Sequence, residues 1–344
     1  MWEQTKGVHV DLVDRFDYPL FKSIGPPYTV ALTSKIVKVA RDSNLDLIHS
    51  HYAIPHAMSA FMAREIVGIP YVVTLHGSDV HTLGQDPAYE PVVKYTLEKA
   101  DAVTAVSEFL KEKAHNELGI EREIHVIPNF IDIAKFSHLE GVRLYVESGC
   151  VGLRKEEKAL ELNPGEKILL HASNFRKVKR VVELVETMRI VVDHFPEARL
   201  IIAGDGPTRI EVERKIEALD LCNNVHLLGI KSNMQEIMCS ADMFLLNSTL
   251  EGMPLVLLEA MSCSLPVVTT PAGGIPELVR PGKDGAVTKG YDQEEYAEVI
   301  IELLENDEKR KRLGQAGRKR VEESFSSERI VTMYEKVFED VISK

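Results

Sequence analysis

Short apolar runs alternate with amphipathic stretches along most of the chain. Runs such as Tyr71–Leu75 and residues 199–203 are almost continuously apolar, which is typical of strands buried on both faces of a parallel sheet. Between such runs, stretches such as residues 28–44 carry apolar residues in a broken helical stripe. This alternation predicts α/β domains built on doubly wound parallel sheets.

The predicted strands and helices follow one another in regular order. Strands are expected at residues 8–13, 45–49, 71–75, 102–106, 123–127, 167–172, 199–203, 224–228, 243–246 and 265–269. The main helices are expected at residues 28–44, 54–67, 89–99, 108–118, 181–195, 208–219, 255–261, 293–305, 307–323 and 327–342.

The alternation is interrupted between residues 136 and 165, where the charged run 154–161 predicts a surface helix within an interdomain connection. We therefore expect a first domain at residues 1–135, a second at 166–326, and a C-terminal helix at 327–344 that packs back toward the first domain. Doubly wound sheets bind ligands at the carboxyl ends of their strands. We expect two Rossmann-like domains facing each other across a cleft that holds the site.

Composition narrows the class of protein. A chain of 344 residues is long enough for about two domains. No apolar run approaches the ~20 residues of a membrane span, and the N-terminus lacks a signal-peptide pattern. The net charge of −12 argues against nucleic-acid partners, and the four cysteines are scattered, with no CxxC pair. These features favour a cytoplasmic enzyme or binding protein without a transmembrane segment, and they leave a homo-oligomer open.

Two glutamates mark the most informative stretch. Glu251 lies just before the predicted helix 255–261, and Glu259 lies inside it. Pro254 suits a helix start, whose free N–H groups form a natural seat for phosphate. Because that helix is apolar almost all round, the Glu259 carboxylate needs a buried partner. That partner is either the hydroxyl groups of a sugar or ribose, or an Arg or Lys from a neighbouring loop.

Cations and glycines follow other predicted strands of the same domain. Arg176 and Lys179 belong to a group of four cations in the turn after strand 167–172, which is either a solvated helix start or a diphosphate site. Gly204 begins a tight turn after strand 199–203, and a third turn, which contains two glycines, occupies residues 272–277. Three such turns at one edge of a sheet outline a nucleotide pocket.

Histidines follow two strands of the first half. His76 comes directly after Tyr71–Leu75, where it touches substrate or has a structural role. His49, His51 and His56 are close in sequence and raise the alternative of a metal site. Their spacing across a strand end does not put three rings on one face, so we expect no metal there.

Taken together, these features resemble the retaining glycosyltransferases of family 4, which have the two-domain GT-B fold. The matching stretches are the E-x7-E pattern of residues 251–259 and the turns at 173–180, 204–207 and 272–277. The resemblance spans most of the chain. Within the family, stretches of both halves are similar to enzymes of bacillithiol biosynthesis that transfer N-acetylglucosamine from UDP-GlcNAc to L-malate. Those stretches are residues 32–39, 46–57, 74–84 and 173–180.

The resemblance implies a UDP-sugar donor and a metal-independent reaction with no cofactor. Glu259 would bind the ribose hydroxyls, and Glu251 would face the donor sugar as a catalytic residue together with His76. Cations and a helix dipole would stabilise the leaving diphosphate. The other implied donor-binding residues are Asn174, Arg176, Lys179, Gly204, Gly252, Met253, Leu255 and Val256.

The resemblance also implies a small carboxylate acceptor, bound near Tyr52 and Ser78. Lys94 stands where the malate-using enzymes carry an Arg for the acceptor carboxylate, and a Lys cannot form a bidentate fork. Members of the family open with a strand and a glycine-rich loop, so we expect the first domain to be N-terminally incomplete. The connection around Gly141 and Gly152 is longer than the resemblance implies.

Three other functions stay open from the sequence. They are a family 4 transferase with another sugar or a lipid-linked acceptor, an inactive truncated remnant that binds a UDP-sugar, and a UDP-GlcNAc epimerase on the same fold.

Overall fold

The computed structural model describes residues 28–137, 145–148, 158–161 and 166–344. The chain divides into two compact units. The first unit ends at Ile127 and takes in Met333–Lys344, and the second unit is Pro128–Thr332. The domain boundaries given in the sequence analysis stay predictions.

The first unit is a parallel sheet with helices between its strands. In its described part the strand order is β1-β2-β3-β4, all parallel. The strands are β1 (Ile48–His51), β2 (Tyr71–Leu75), β3 (Ala102–Ala105) and β4 (Ile124–Val126). The helices are α1 (Tyr28–Ser43), α2 (Met58–Val67), α3 (Ser78–His81), α4 (Glu90–Lys99) and α5 (Glu108–Leu118).

The second unit has a six-stranded parallel sheet in the order β12-β11-β10-β7-β8-β9. Its strands are β7 (Lys167–Ser173), β8 (Ala198–Gly204), β9 (Val225–Gly229), β10 (Met243–Leu246), β11 (Val267–Thr269) and β12 (Ala286–Val287). Its helices are α6 (Val181–His194), α7 (Arg209–Ala218), α8 (Met234–Cys239), α9 (Leu255–Ser262), α10 (Ile275–Leu278), α11 (Gln293–Glu305) and α12 (Asp307–Ser324), and α13 (Ser327–Ile342) closes the chain.

The sequence explains why these elements form. Strands β2 and β10 are buried at every position, as continuous apolar runs require when helices cover both faces of a sheet. Helix α5 begins where the Ser107 hydroxyl accepts a hydrogen bond from the N–H of Leu110, and it ends at Gly119 in the left-handed conformation. The core of the second unit packs α6 and α11 against this sheet, with Leu184, Met188 and Ile300 fully buried.

One predicted element is wrong. We expected residues 154–161 to form a surface helix, but Lys158–Glu161 is a strand, β6, paired antiparallel with β5 (Tyr145–Ser148). A charged, lysine-rich run has high helix propensity, yet cross-strand pairing overrides it here. The predicted strand 8–13 lies outside the described residues, as does most of the connection around Gly141 and Gly152.

In the described part of the chain, no helix is both long enough and apolar enough to cross a membrane.

Candidate functional site

In the second unit, the glutamate-bearing helix α9 starts at the carboxyl edge of the sheet. Pro254 precedes it in an extended conformation, and no side chain caps the helix start. The Met253 carbonyl accepts a hydrogen bond of 2.7 Å from the Asn129 side chain, which fixes the turn. The N–H groups of Leu255 and Val256 therefore point out of an uncapped first turn, where an anion can bind them.

Lys179 and Glu251 form an ion pair in front of this helix. The Lys179 Nζ lies 2.6 Å from Glu251 Oε1, and the two side chains are only 18% and 9% exposed. The Glu251 carbonyl also accepts from the N–H of Gly274, which ties this loop to the turn at residues 272–277. The structure thus brings two predicted site residues together, 72 positions apart in sequence.

Glu259 has a different environment. Its carboxylate is half-buried and makes no hydrogen bond, and no ion pair within 4.0 Å, with any residue that the structure describes. Burial raises the pKa of Glu259 to about 7, and the charge of the exposed Lys135 offsets only part of that shift. Of the two partners considered for Glu259, a cation from a neighbouring loop within ion-pair distance of 4.0 Å is not found among the described residues.

The turns after β7 and β8 lie side by side. Asn174 and Arg176 are exposed there, and their side chains make no hydrogen bond within the described ranges. Gly204 has a φ of 121°, and a Cβ at this position would come within 1.9 Å of the Ser173 carbonyl oxygen. Only glycine fits this close approach of two backbones, so Gly204 lets the two turns meet.

In the first unit, His76 lies at the carboxyl edge of the sheet, in a tightly held loop. Asp79 is fully buried, and its carboxylate accepts from the N–H groups of Gly77 at 2.8 Å and of His76 at 3.3 Å. Burial raises the pKa of Asp79 to about 6, although these backbone hydrogen bonds counteract the shift. The loop that carries His76 is therefore fixed by its own buried carboxylate.

The acceptor candidates are only partly brought together. The Tyr52 ring lies 4.9 Å from the His76 ring, and Ser78 begins α3 two residues after His76. The Lys94 Nζ lies beside Gly119, where a built Cβ would come within 3.2 Å of it. That position is the C-terminal end of α5, where a cation is favourable in any case.

Sequence reasoning considered His49 and His51 only for a metal site and assigned no role to Asn247 or Ser248. His51 Nδ1 lies 2.8 Å from His76 Nε2, and the His49 ring packs against Tyr334 and Phe338 of α13. Because side chains alternate along a strand, His49 and His51 share one face of β1, which the sequence could have shown. In the second unit, the Oδ1 of Asn247 and the Oγ of Ser248 are buried without a hydrogen-bond partner in the described part of the chain.

No group of three or more His, Cys, Asp or Glu residues among the described positions could hold a metal ion. The cluster of His49, His51 and His76 has rings 4.5 to 5.0 Å apart, and burial lowers the pKa of both His49 and His76 to about 4.

Comparison with known proteins agrees with this architecture. The family model "Glycosyltransferase Family 4" matches residues 3–135, and the model "Glycosyl transferases group 1" matches residues 154–320. The chain is 38% identical to the N-acetyl-alpha-D-glucosaminyl L-malate synthase of Bacillus anthracis, over 92% of this chain and 80% of that protein. It is 29% identical to an uncharacterized glycosyltransferase of Methanocaldococcus jannaschii, over 88% and 78% of the two chains.

Two solved structures share the fold. HepE from Anabaena superposes with a TM-score of 0.73 at 22% identity, covering 95% of this chain and 85% of that one. The sucrose-phosphate synthase of Thermosynechococcus elongatus gives 0.77 at 20% identity, covering 94% and 79%. The fold is GT-B, with two parallel-sheet α/β units. The chain belongs to the family 4 glycosyltransferases and is an enzyme of the transferase class.

Proposed function

We propose that this enzyme transfers N-acetylglucosamine from UDP-GlcNAc to a small hydroxy acid, L-malate, with retention of the anomeric configuration. The observation that carries the donor side is the half-buried Glu259 carboxylate, which has no partner among the described residues. A carboxylate with two free oxygens matches the two adjacent hydroxyl groups of a ribose. The acceptor rests on the Bacillus anthracis relative, whose name specifies L-malate.

Donor binding is assigned to the second unit. Glu259 accepts from the ribose hydroxyl groups, and the open N–H groups of Leu255 and Val256 face the diphosphate at the start of α9. Lys179 supplies positive charge to the diphosphate while it holds Glu251 toward the donor sugar. The neighbour HepE was solved in complex with UDP, which supports a uridine nucleotide.

Acceptor binding is assigned to the first unit, with Tyr52, Ser78 and Lys94 as the candidate residues. Lys94 provides a single positive charge for a carboxylate rather than the fork of an Arg. His76 is the candidate catalytic residue of this unit, and its ring is a neutral group because burial lowers its pKa to about 4.

The chemistry proposed is front-face displacement without a metal ion. The leaving phosphate accepts the proton of the acceptor hydroxyl group as the new glycosidic bond forms on the same face. The Lys179 ammonium and the dipole of α9 stabilise the negative charge that develops on the diphosphate. No cofactor takes part in this scheme.

Mass spectrometry of a reaction with UDP-GlcNAc and L-malate tests the proposal. A product with the mass of N-acetylglucosaminyl malate, shown by NMR to have the α anomeric configuration, is the expected result. Activity unchanged by EDTA is expected as well. UDP-GlcNAc binding in calorimetry without transfer to malate would contradict the acceptor assignment and would favour another acceptor or a binding-only role. Conversion of UDP-GlcNAc into UDP-N-acetylmannosamine, without release of UDP, would instead identify an epimerase.

A further inference from the structure

The segment that follows β10 holds the backbone around Lys179. Thr249 donates its backbone N–H to the carbonyl of Val178 at 2.8 Å, and Asn247 donates its side-chain amide to the carbonyl of Arg180 at 3.0 Å. Val178 and Arg180 are the two chain neighbours of Lys179. The segment therefore fixes the backbone on both sides of this one cation.

The backbone of Arg180 needs such a restraint. Arg180 adopts the left-handed conformation, with φ 49° and ψ 42°, which costs free energy in a residue that has a side chain. It lies between the 3-10 turn Lys177–Lys179 and α6, and its carbonyl accepts a hydrogen bond of 3.0 Å from the N–H of Leu184 in that helix. The amide of Asn247 uses the second lone pair of the same oxygen atom. Asn247 therefore stabilises the turn at which the chain enters α6.

The Asn247 side chain is buried in an unfavourable setting. It is 3% exposed, and its Oδ1 has no hydrogen-bond partner in the part of the chain that the structure describes. The Arg180 carbonyl can only accept, so the amide nitrogen must be the atom that faces it. A buried acceptor without a partner lowers stability, and an apolar side chain after the apolar strand β10 would avoid that loss. The hydrogen bond to Arg180 is what the amide contributes here.

The same segment carries the ion-pair partner of Lys179. Glu251 follows Thr249 by two residues, and its Oε1 lies 2.6 Å from the Lys179 Nζ. Residues 247–251 thus hold the backbone of the cation and also direct its ammonium group. Because an ammonium group attracts an anion most strongly at contact distance, a small displacement of the turn weakens both its ion pair and its attraction for a phosphate.

We propose that Asn247 is a positioning residue for Lys179. Its amide holds the Arg180 carbonyl in place, so that the Lys179 ammonium meets the diphosphate of the donor. The role of the diphosphate rests on the proposed function, whereas the coupling between Asn247 and Lys179 does not. Asn247 makes no contact with the ligand in this account, so its effect on binding passes entirely through Lys179.

Calorimetry of the full chain with UDP and with uridine tests the effect on binding. Asn247→Ala removes the amide donor and is expected to weaken UDP binding about tenfold, while the affinity for uridine, which has no phosphate, stays within about twofold. In the Lys179→Met background, Asn247→Ala is expected to change UDP affinity less than about twofold, because the cation that it positions is gone. Thr249→Val is the matched control and should bind UDP like wild type, since this exposed residue keeps its backbone N–H on Val178.

Two results of this experiment would overturn the inference. One is unchanged UDP affinity in Asn247→Ala. The other is a loss of the same size for UDP and uridine, or with and without the Lys179 ammonium, because Asn247 would then support the pocket in general rather than this cation. If Asn247→Ala does not fold, Asn247→Ser takes its place, since it keeps a hydrogen-bond donor on a shorter side chain and should show a smaller loss of the same kind.

Urea denaturation of the wild type, the two single variants and the double variant tests the coupling without a ligand. If Asn247 positions Lys179 for its ion pair, the urea midpoint of the double variant should lie above the value obtained by adding the two single shifts. Additive shifts would overturn the positioning role. A wild type that shows the coupling in urea but binds no UDP would overturn the proposed function and leave the positioning role confirmed.

Discussion

The two units present different chemistry at the carboxyl edges of their sheets. In the second unit the edge is charged, with the Lys179–Glu251 ion pair in front of α9 and the Glu259 carboxylate inside it. In the first unit the edge is polar but neutral, with a histidine pair held by a buried aspartate. A charged edge suits a nucleoside diphosphate, whereas a neutral edge suits hydroxyl groups.

The carboxylates of Asp79 and Glu259 differ in the same way. Backbone N–H groups occupy the oxygen atoms of Asp79, so that side chain is part of the fold. The described residues leave the oxygen atoms of Glu259 unoccupied. A carboxylate whose hydrogen bonds are satisfied contributes to stability, and one whose hydrogen bonds are unsatisfied costs stability until a ligand arrives.

The largest expected effect concerns the ion pair. Lys179→Met leaves the nearly buried Glu251 carboxylate without its cation, and we expect a loss of about 3 kcal/mol in the free energy of unfolding. The double variant Lys179→Met with Glu251→Gln should recover most of that loss in urea denaturation, because no charge is left unpaired. Equal losses in Lys179→Met and the double variant would show that the unpaired Glu251 carboxylate is not what destabilises Lys179→Met.

The second prediction compares the loss of charge at Glu259 with the loss of charge at Asp79. Glu259→Gln should weaken UDP-GlcNAc binding roughly 50-fold in calorimetry, about 2 kcal/mol, because hydrogen bonds to a charged acceptor are lost. It should not lower stability, because it removes a carboxylate whose ionisation burial disfavours. Asp79→Asn should do the reverse, with a loss of stability and unchanged affinity. Glu298→Gln, an exposed change on α11, is the control for both.

The third prediction is a pH dependence with a definite sign. The folded-state pKa of Glu259, about 7, lies above the ordinary value of 4.5, so the folded chain keeps a proton that the unfolded chain releases. Between those values stability should fall as the pH rises, by about 1 to 2 kcal/mol after solvent screening. UDP-GlcNAc affinity should rise with pH over the same window, because the ionised carboxylate binds it. Both slopes should vanish in Glu259→Gln.

The smallest expected effect is at Lys94. If its ammonium meets the acceptor carboxylate, Lys94→Met should raise KM for L-malate about fivefold, and Lys94→Arg should keep KM near that of wild type. If its role is to stabilise the end of α5, both variants should leave KM unchanged, and Lys94→Met should lower only the melting temperature.

The sequence predicts the fold well where one local rule suffices. Buried runs such as Tyr71–Leu75 and capped stretches such as Glu108–Leu118 need no long-range information. The strand Lys158–Glu161 depends on its pairing with Tyr145–Ser148. Its composition favours a helix, so the prediction of a helix there was wrong. Propensity alone cannot reveal a partner strand.

From the sequence, the candidate site residues can be proposed as positions, but their contacts with one another cannot. Glu259 and Lys179 were identified by their places after strands and in an apolar helix. The contacts between these residues depend on which strands become neighbours. Examples are the pair of Lys179 with Glu251 and the pair of His51 with His76. The close approach at Gly204 has the same origin, because it needs the register of β7 and β8.

The most direct measurement is the pKa of the Glu259 carboxyl group. It is determined by ¹³C NMR on the chain labelled at glutamate, with and without UDP-GlcNAc. Glu259→Gln assigns the resonance. We predict a pKa near 7 in the free enzyme and a fall of at least about 1.5 pH units at saturation, because a roughly 50-fold preference of the ligand for the ionised form requires it. A pKa that stays near 7 when the nucleotide sugar is bound would show that this carboxylate does not hold the donor.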